Sequence, residues 1–96
     1  MAIAVYFHPK GMTMAQFNEV HRLLAESGKD DPSSRIHHSC FGEDGDLMVY
    51  DIWESAEAFQ AFGEVLMPII AKVGFDAGEP AVMPLHRLEQ VERAQT

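Results

Sequence analysis

Cysteine is nearly absent from the sequence, because Cys40 is the only one among 96 residues. A single cysteine cannot form a disulfide within the chain, and this is typical of proteins from reducing compartments. The sequence also lacks a run of about 18 apolar residues, so it predicts no membrane-spanning helix. Its first residues lack the basic leader and the small-residue cleavage site of a secretory signal. We therefore expect a cytoplasmic protein.

Basic residues are also scarce. Seven Lys and Arg stand against 15 Asp and Glu, which gives a net charge of -8. A nucleic-acid-binding protein neutralises phosphates with basic side chains, and the seven here are scattered without forming a stripe. The negative charge also disfavours anionic membrane surfaces. Neither nucleic acid nor a membrane is an expected partner.

Signatures of metal and phosphate sites are missing as well. The strands carry four potential metal ligands, namely His37, His38, Cys40 and His86. Their spacing matches no standard zinc site, and neighbouring strand residues point to opposite faces. The glycines are isolated, so no phosphate-binding loop is present. We expect no metal and no cofactor, and one domain spanning residues 1–96.

One segment organises the rest of the chain. The residues from Asp46 to Glu54 alternate as in a strand and carry apolar side chains on both faces, so neither face suits open water. The next residue, Ser55, is a good N-cap, and Glu57 lies in the first turn, where the helix dipole favours an anion. The segment therefore predicts a strand that leads directly into a helix, which Gly74 ends.

Three more strands and one more helix are predicted around this segment. Thr13 and Gln16 have the spacing of a capping box, which predicts a helix from Met14 to a left-handed stop at Ser27 and Gly28. Alternating apolar residues predict the strands, which are Ala2–His8, Arg35–Phe41 and Ala81–Glu89. A hairpin at 42–45 joins the second strand to the third.

Two prolines carry separate expectations. Pro68 lies inside the second predicted helix, where it removes one hydrogen bond, so we expect a kink or a restart there. Pro84 lies inside the last strand, which indicates an edge position or a bulge.

The element order is strand, helix, strand, strand, helix, strand. It predicts an α+β, ferredoxin-like β-α-β-β-α-β fold whose four-stranded antiparallel sheet has strands one and three at its centre. Two helices cover only one sheet face, and the other face would expose several hundred Å² of apolar surface. We therefore expect a homodimer with its sheets face to face. The alternative is a monomer whose loops cover the sheet.

The stretch Asp51-x-Trp53-x-Ser55, followed by Ala58-Phe59, resembles the dimeric α/β-barrel superfamily. Within it, the stretch is similar to the antibiotic-biosynthesis monooxygenase family, in which an acidic residue, an aromatic and a capped helix recur at this place. The resemblance implies a homodimeric α/β barrel of eight strands, with pockets for small apolar or aromatic molecules.

The resemblance also has departures. Family members often carry a His one turn into the second helix, where this chain has Phe62. Haem-degrading relatives resemble the chain at Trp53, but they use a His on the second helix and an Asn on the first strand. This chain has neither residue, so haem binding is not expected.

The function that the resemblance implies is a cofactor-independent monooxygenase acting on an aromatic or polyketide-like substrate. The substrate would supply a carbanion that reacts with oxygen, with His38 or His86 removing its proton and Trp53 holding it. Two alternatives stay open: a non-catalytic ligand-binding or structural homodimer, and a stress-related isomerase or haem-handling protein. An open pocket with His and Asp side chains favours an enzyme, whereas an interior filled by Met48, Tyr50 and Met83 favours the structural alternative.

The histidines of the second strand are the main catalytic candidates. Because strand side chains alternate, only one of His37 and His38 can face an interior cavity. His38 is favoured, since it shares its face with Ile36 and Cys40. An imidazole can act as acid, base or hydrogen-bond donor, and the alternative role of His38 is that of a core histidine bonded to a neighbour.

The remaining candidates have equally plain structural alternatives. His86, on the last strand, is expected near the subunit junction as a catalytic residue or as a structural hydrogen-bonding group. Trp53 is either a core anchor or a pocket wall that stacks a planar ligand. Asp51 is costly to bury alone, so an ion pair with an arginine or a histidine is expected. Tyr6 and Tyr50 are candidate ligand-binding residues or core residues.

Overall fold

The structure, a computed structural model, describes residues 1–90. Its elements, in chain order, are β1 Ile3–Phe7, α1 Met14–Glu26, β2 Arg35–Glu43, β3 Asp46–Trp53, α2 Ala56–Val73 and β4 Ala81–Pro84. The strands form one antiparallel sheet in the order β2-β3-β1-β4. The predicted ferredoxin-like order, with strands one and three at the centre, is confirmed.

Local hydrogen bonds set the helix ends where the sequence predicted them. Thr13 Oγ1 accepts from the backbone N–H of Gln16 at 3.1 Å, and the backbone N–H of Thr13 donates to Gln16 Oε1 at 3.0 Å. Ser55 Oγ accepts from the backbone N–H of Ala58 at 3.1 Å. Helix α2 ends at Gly74, whose φ of 95° lies in the left-handed region that glycine adopts without steric cost.

Pro68 does not interrupt the second helix. Helix α2 runs from Ala56 to Val73 with Pro68 inside it, so the predicted restart is wrong. Both Pro68 and Glu64, whose carbonyl loses its helical partner, are exposed, and water can therefore satisfy that carbonyl. The turn after the proline still buries Ile70 in the core. None of the helices within residues 1–90 is long and apolar enough to cross a membrane.

The last strand is shorter than predicted. Strand β4 ends at Pro84, which lies opposite Ile3, and not at Glu89. Proline has no N–H to donate to a strand pair, and β1 begins at Ile3, so only one further bond forms, from the N–H of Leu85 to the carbonyl of Ala2. β4 is an edge strand, as Pro84 indicated.

Strand β2 contains an extra residue that changes which side chains share a face. Arg35 lies opposite Trp53 and His37 lies opposite Ile52, so Ile36 has no partner in β3. This bulge turns Arg35 to the same face as His38, although the two are three positions apart in the strand. Ile36 leaves that face and is 42% exposed, so its predicted grouping with His38 is wrong.

The helices cover one face of the sheet. On that face Val5 and Trp53 are fully buried, and the β3 residues of the same parity are Leu47, Val49 and Asp51. The opposite face carries the even-numbered side chains of β1 and β3. Ala4 and Ile52 are buried there, but Phe41 and Met83 at its margins remain 45% and 52% exposed.

Candidate functional site

A cavity lies between the sheet and the helices of one chain. Its volume open to the centre of a water molecule is about 70 Å³, which exceeds the roughly 10–15 Å³ that one water needs. Most of its lining is apolar, and the side chains come from β1, both helices and the following loops, among them Phe7, Met12, Phe17, Leu66 and Phe75. Four polar residues complete the lining: His21, Arg35, His38 and Asp51.

Asp51 and His38 form the inner part of the polar lining. They lie directly opposite each other on β3 and β2, and His38 Nδ1 is 2.6 Å from Asp51 Oδ1. The Asp51 side chain is only 7% exposed, so this contact supplies the partner that a buried carboxylate requires. A carboxylate only accepts hydrogen bonds, and Nδ1 of His38 therefore carries a proton. The second ring nitrogen, Nε2, is left to meet other groups.

His21 extends the polar lining towards the surface. His21 Nε2 lies 3.1 Å from His38 Nε2, and His21 Nδ1 lies 2.5 Å from Oδ1 of Asp30. The exposed fraction of the side chains rises along the series from 7% at Asp51 through 24% at His38 and 25% at His21 to 35% at Asp30. Four side chains thus form a continuous polar chain from the buried sheet to the rim.

Phe17 holds the two imidazole rings. It lies one turn before His21 on α1, and the two ring centroids are 4.5 Å apart in an edge-to-face arrangement. Its ring is also stacked against that of His38, with centroids 6.0 Å apart. Helix α1, whose start is defined by its capping box, therefore sets the position of both rings.

Arg35 places a positive charge beside the polar series from Asp51 to Asp30. The bulge turns it to the helix side, where its guanidinium carbon lies 5.9 Å from the ring centre of Trp53 and 5.5 Å from that of Phe62. Its Nη2 donates to the backbone carbonyl of Asp30 at 3.1 Å. Arg35 thus ties the Asp30 loop to the sheet and puts a cation in the cavity wall.

Trp53 is a core residue with one unsatisfied group. It is fully buried, clusters with the buried residues Ile3 and Val5, and packs against Phe59 and Phe62 of helix α2. Its Nε1–H finds no hydrogen-bond partner within residues 1–90. Trp53 lies behind Arg35 and does not line the cavity.

The other predicted site residues lie apart from the cavity. Tyr6 and Tyr50 pair across β1 and β3 on the face turned away from the helices, and both are half-buried. His86 follows the end of β4 and is exposed. Within one chain, the structure therefore brings together only His38 and Asp51 of the predicted set.

Sequence reasoning missed His21 and Asp30. His21 lies within α1 and Asp30 lies in the loop after it, and neither belongs to a recognised motif. A signal was present, since Phe17 and His21 are four residues apart and so share one face of α1. The approach of that face to His38, which lies eight residues after Asp30 in the chain, depends on the tertiary structure.

Cys40, His37 and His86 do not line the cavity. Cys40 packs beside the buried residues Met12, Leu47 and Val49, and burial raises the pKa of its thiol. This disfavours the thiolate that a nucleophile needs. Among the residues that the structure describes, no group of three or more His, Cys, Asp or Glu is arranged to hold a metal ion.

The fold is similar to the folds of several solved structures. SnoaB from Streptomyces nogalater, described as a cofactor-independent oxygenase, superposes with a TM-score of 0.62 at 15% identity, over 91% of this chain and 94% of that one. A candidate antibiotic biosynthesis monooxygenase from Chloroflexus aurantiacus J-10-fl gives 0.62 at 14% identity, over 93% and 98%. No protein-family model and no curated protein matches the sequence.

The comparison confirms the resemblance at the level of the fold. The same architecture also occurs in Foldit4, a de novo designed protein, with a TM-score of 0.59 at 13% identity, over 90% of this chain and 100% of that one. A designed protein and an oxygenase thus share this arrangement, so any activity has to be argued from the cavity and its residues.

Proposed function

We propose that the protein binds a small, electron-rich aromatic molecule in the cavity and oxidises it with O₂ as a cofactor-independent monooxygenase. The observation that carries this proposal is the contact between His38 and Asp51 at the wall of an otherwise apolar cavity. A carboxylate on Nδ1 fixes the ring and stabilises its protonated form, which makes the other nitrogen a better proton acceptor.

The proposed oxidation needs a base and a site that excludes bulk water. Removal of a proton from an activated CH₂ group gives a carbanion, which transfers electrons to O₂ and forms a C–O bond. Loss of water then leaves a carbonyl group, so that one CH₂ group and one O₂ give one C=O group and one H₂O. The apolar lining excludes bulk water from the carbanion, and the Arg35 cation lies close enough to stabilise its charge.

We further propose that the working form is a homodimer paired through the open sheet face. Phe41 and Met83 on this face are about half exposed, and Tyr6 and Tyr50 lie between them. Burying about 600 Å² of such surface per subunit would supply roughly 15 kcal/mol before association costs of the same order. In this arrangement a role for His86 depends on the second copy. The single Cys40 supports a cytoplasmic location.

Oxygen consumption tests the enzymatic proposal. An anthrone or an electron-rich phenol should be oxidised with O₂ uptake and without added flavin or metal, and His38→Gln should lower kcat by about 10²- to 10⁴-fold, the usual contribution of a general base. Glu19→Gln, an exposed change on α1, is the matched control. Wild-type turnover in the His38 variant would remove the proposed role.

A second candidate function is binding without catalysis. The observation that favours it is the cavity's volume of about 70 Å³, since an apolar cavity known to hold benzene measures roughly 150 Å³. A planar substrate would therefore have to displace flexible side chains such as Met12. Saturable binding of a phenol, measured by calorimetry and without any O₂ uptake, would favour this second function.

A further inference from the structure

The contact between His21 and His38 depends on how many protons the two rings carry. Each ring donates its Nδ1–H to a carboxylate, Asp30 for His21 and Asp51 for His38. In a neutral imidazole only one nitrogen carries a proton, so two neutral rings would direct Nε2 lone pairs at each other across 3.1 Å. Such an arrangement is repulsive. One additional proton between the two Nε2 atoms turns it into an N–H···N hydrogen bond.

The surroundings favour that additional proton. The two rings carry a carboxylate at each end, Asp51 from β3 and Asp30 from the loop after α1. The charged group that disfavours the additional proton is Arg35 of β2, which donates to the Asp30 carbonyl. Helix α2 contributes only apolar side chains to the cavity, namely Phe62, Leu66 and Ile70, and α1 adds Phe17, Val20 and Leu24 beside His21.

We propose that His21 and His38 act as one proton-accepting unit, in which a proton taken from the ligand in the cavity is held between the two Nε2 atoms and balanced by Asp30 and Asp51. The Nδ1 protons stay on the rings throughout. The held proton returns to the peroxide anion that forms when O₂ adds to the carbanion, so the departing water carries both hydrogens of the CH₂ group. Because Asp30 is the most exposed of the four polar side chains, the unit also connects the cavity with water, where it exchanges protons between turnovers. His21 thereby becomes a second catalytic residue, and Asp30 its positioning residue.

The catalytic part of this inference rests on the proposed function, whereas the shared proton does not. The first test therefore uses the substrate-free protein, labelled with ¹⁵N in its histidine rings. Across a pH titration, the Nε2 signals of His21 and His38 should move together in one step for the first proton, with a second step well below it in pH. In Asp30→Asn and in His21→Gln the His38 signal should lose this coupled behaviour. The ring signals of His8, which is paired with Asp46 at an exposed site, should be the same in all variants.

Two results would overturn the shared proton. One is a pair of independent titration curves, each unaffected by changes at the other ring. The other is stoichiometric binding of Zn²⁺ at neutral pH that abolishes the common step, because the space between the rings would then be a metal site. Asp30→Asn keeps both rings, so this test holds even if His21→Gln fails to fold.

Oxygen uptake then separates the two proposals. His21→Gln and Asp30→Asn should each lower kcat by about 10- to 100-fold with little change in KM, and the pH profile should shift with the His38 titration. Full turnover with an unchanged profile in both variants would refute the catalytic role of the unit and leave the proposed reaction standing. Coupled titration without turnover of any phenol or anthrone would refute the reaction and leave the shared proton standing.

Discussion

Asp51 lies directly opposite His38 in the β2–β3 pair and binds His38 Nδ1 at 2.6 Å, which fixes the tautomer of that ring. Asp51→Asn replaces an acceptor by a group that can also donate, so the ring can turn its proton to Nε2 and lose its accepting nitrogen. We expect kcat for O₂ uptake to fall by about 10²- to 10⁴-fold. The free energy of unfolding should fall by only about 1–3 kcal/mol.

The exposed pair of His8 and Asp46 provides the control for that substitution. Its Nε2 to Oδ1 distance is 2.8 Å, and both side chains are largely exposed. Asp46→Asn should therefore leave turnover unchanged and alter stability by less than about 1 kcal/mol in urea unfolding. Equal losses of turnover in the two variants would mean that Asp51 acts only through the stability of the sheet.

The open face of the sheet determines the second prediction. Met83 is 52% exposed on the face turned away from the helices, and Met67 of helix α2 is 55% exposed on the other side of the molecule. A charge buried in a dimer interface is strongly unfavourable, so Met83→Glu should shift the proposed dimer to monomer, whereas Met67→Glu should not. Sedimentation at micromolar concentration distinguishes them. A wild-type particle of single-chain mass, 10.7 kDa, would refute the dimer.

We expect different results from substituting His86 and His38, although both were candidates for the base that removes the substrate's proton. His86 is exposed beyond β4, whereas His38 lies in the cavity wall beside Asp51. His86→Ala should keep turnover within about twofold of the wild type, and His38→Ala should abolish most of it. Loss of O₂ uptake in His86→Ala, with an unchanged dimer, would instead indicate that the second copy brings His86 to the site.

Trp53 gives a prediction on stability. Trp53→Ala removes a fully buried indole and should lower the free energy of unfolding by about 3–5 kcal/mol. Trp53→Phe keeps most of the packing and also removes the buried Nε1–H that has no partner within residues 1–90. Its cost should therefore be much smaller, about 1–2 kcal/mol, because relief of an unsatisfied donor offsets part of the lost volume. Urea unfolding of both variants checks the difference, and equal losses would contradict it.

The helix ends and the fold were accessible from the sequence because they depend on short-range chemistry. Thr13 with Gln16, and Ser55 before its helix, satisfy orphan N–H groups a few residues away, so spacing alone predicts them. Alternation likewise identifies the strands, and element order then leaves few topologies. The restart predicted at Pro68 is wrong because the cost of a proline in a helix depends on whether water can reach the carbonyl that loses its hydrogen bond.

The site was less accessible because it depends on contacts between elements. The bulge at the unpaired residue Ile36 brings Arg35 to the face of His38. The alternation of side chains does not predict where a strand contains such an extra residue. The meeting of His21 with His38 similarly requires the packing of α1 on β2. His38 and Asp51 were within reach because a buried carboxylate on a strand demands a partner wherever it lies.

Cys40 provides a prediction about pH. Burial raises the pKa of its thiol, so the folded chain holds the thiol proton at pH values where the unfolded chain has begun to lose it. More protons bound in the folded state means that stability falls as pH rises through this range. In urea unfolding, the free energy of unfolding of the wild type, relative to that of Cys40→Ala, should therefore fall between pH 8 and about pH 10. Alkylation by iodoacetamide at pH 8 should be slower in the folded than in the urea-unfolded chain, and a faster reaction in the folded chain would show that the thiol is activated rather than buried.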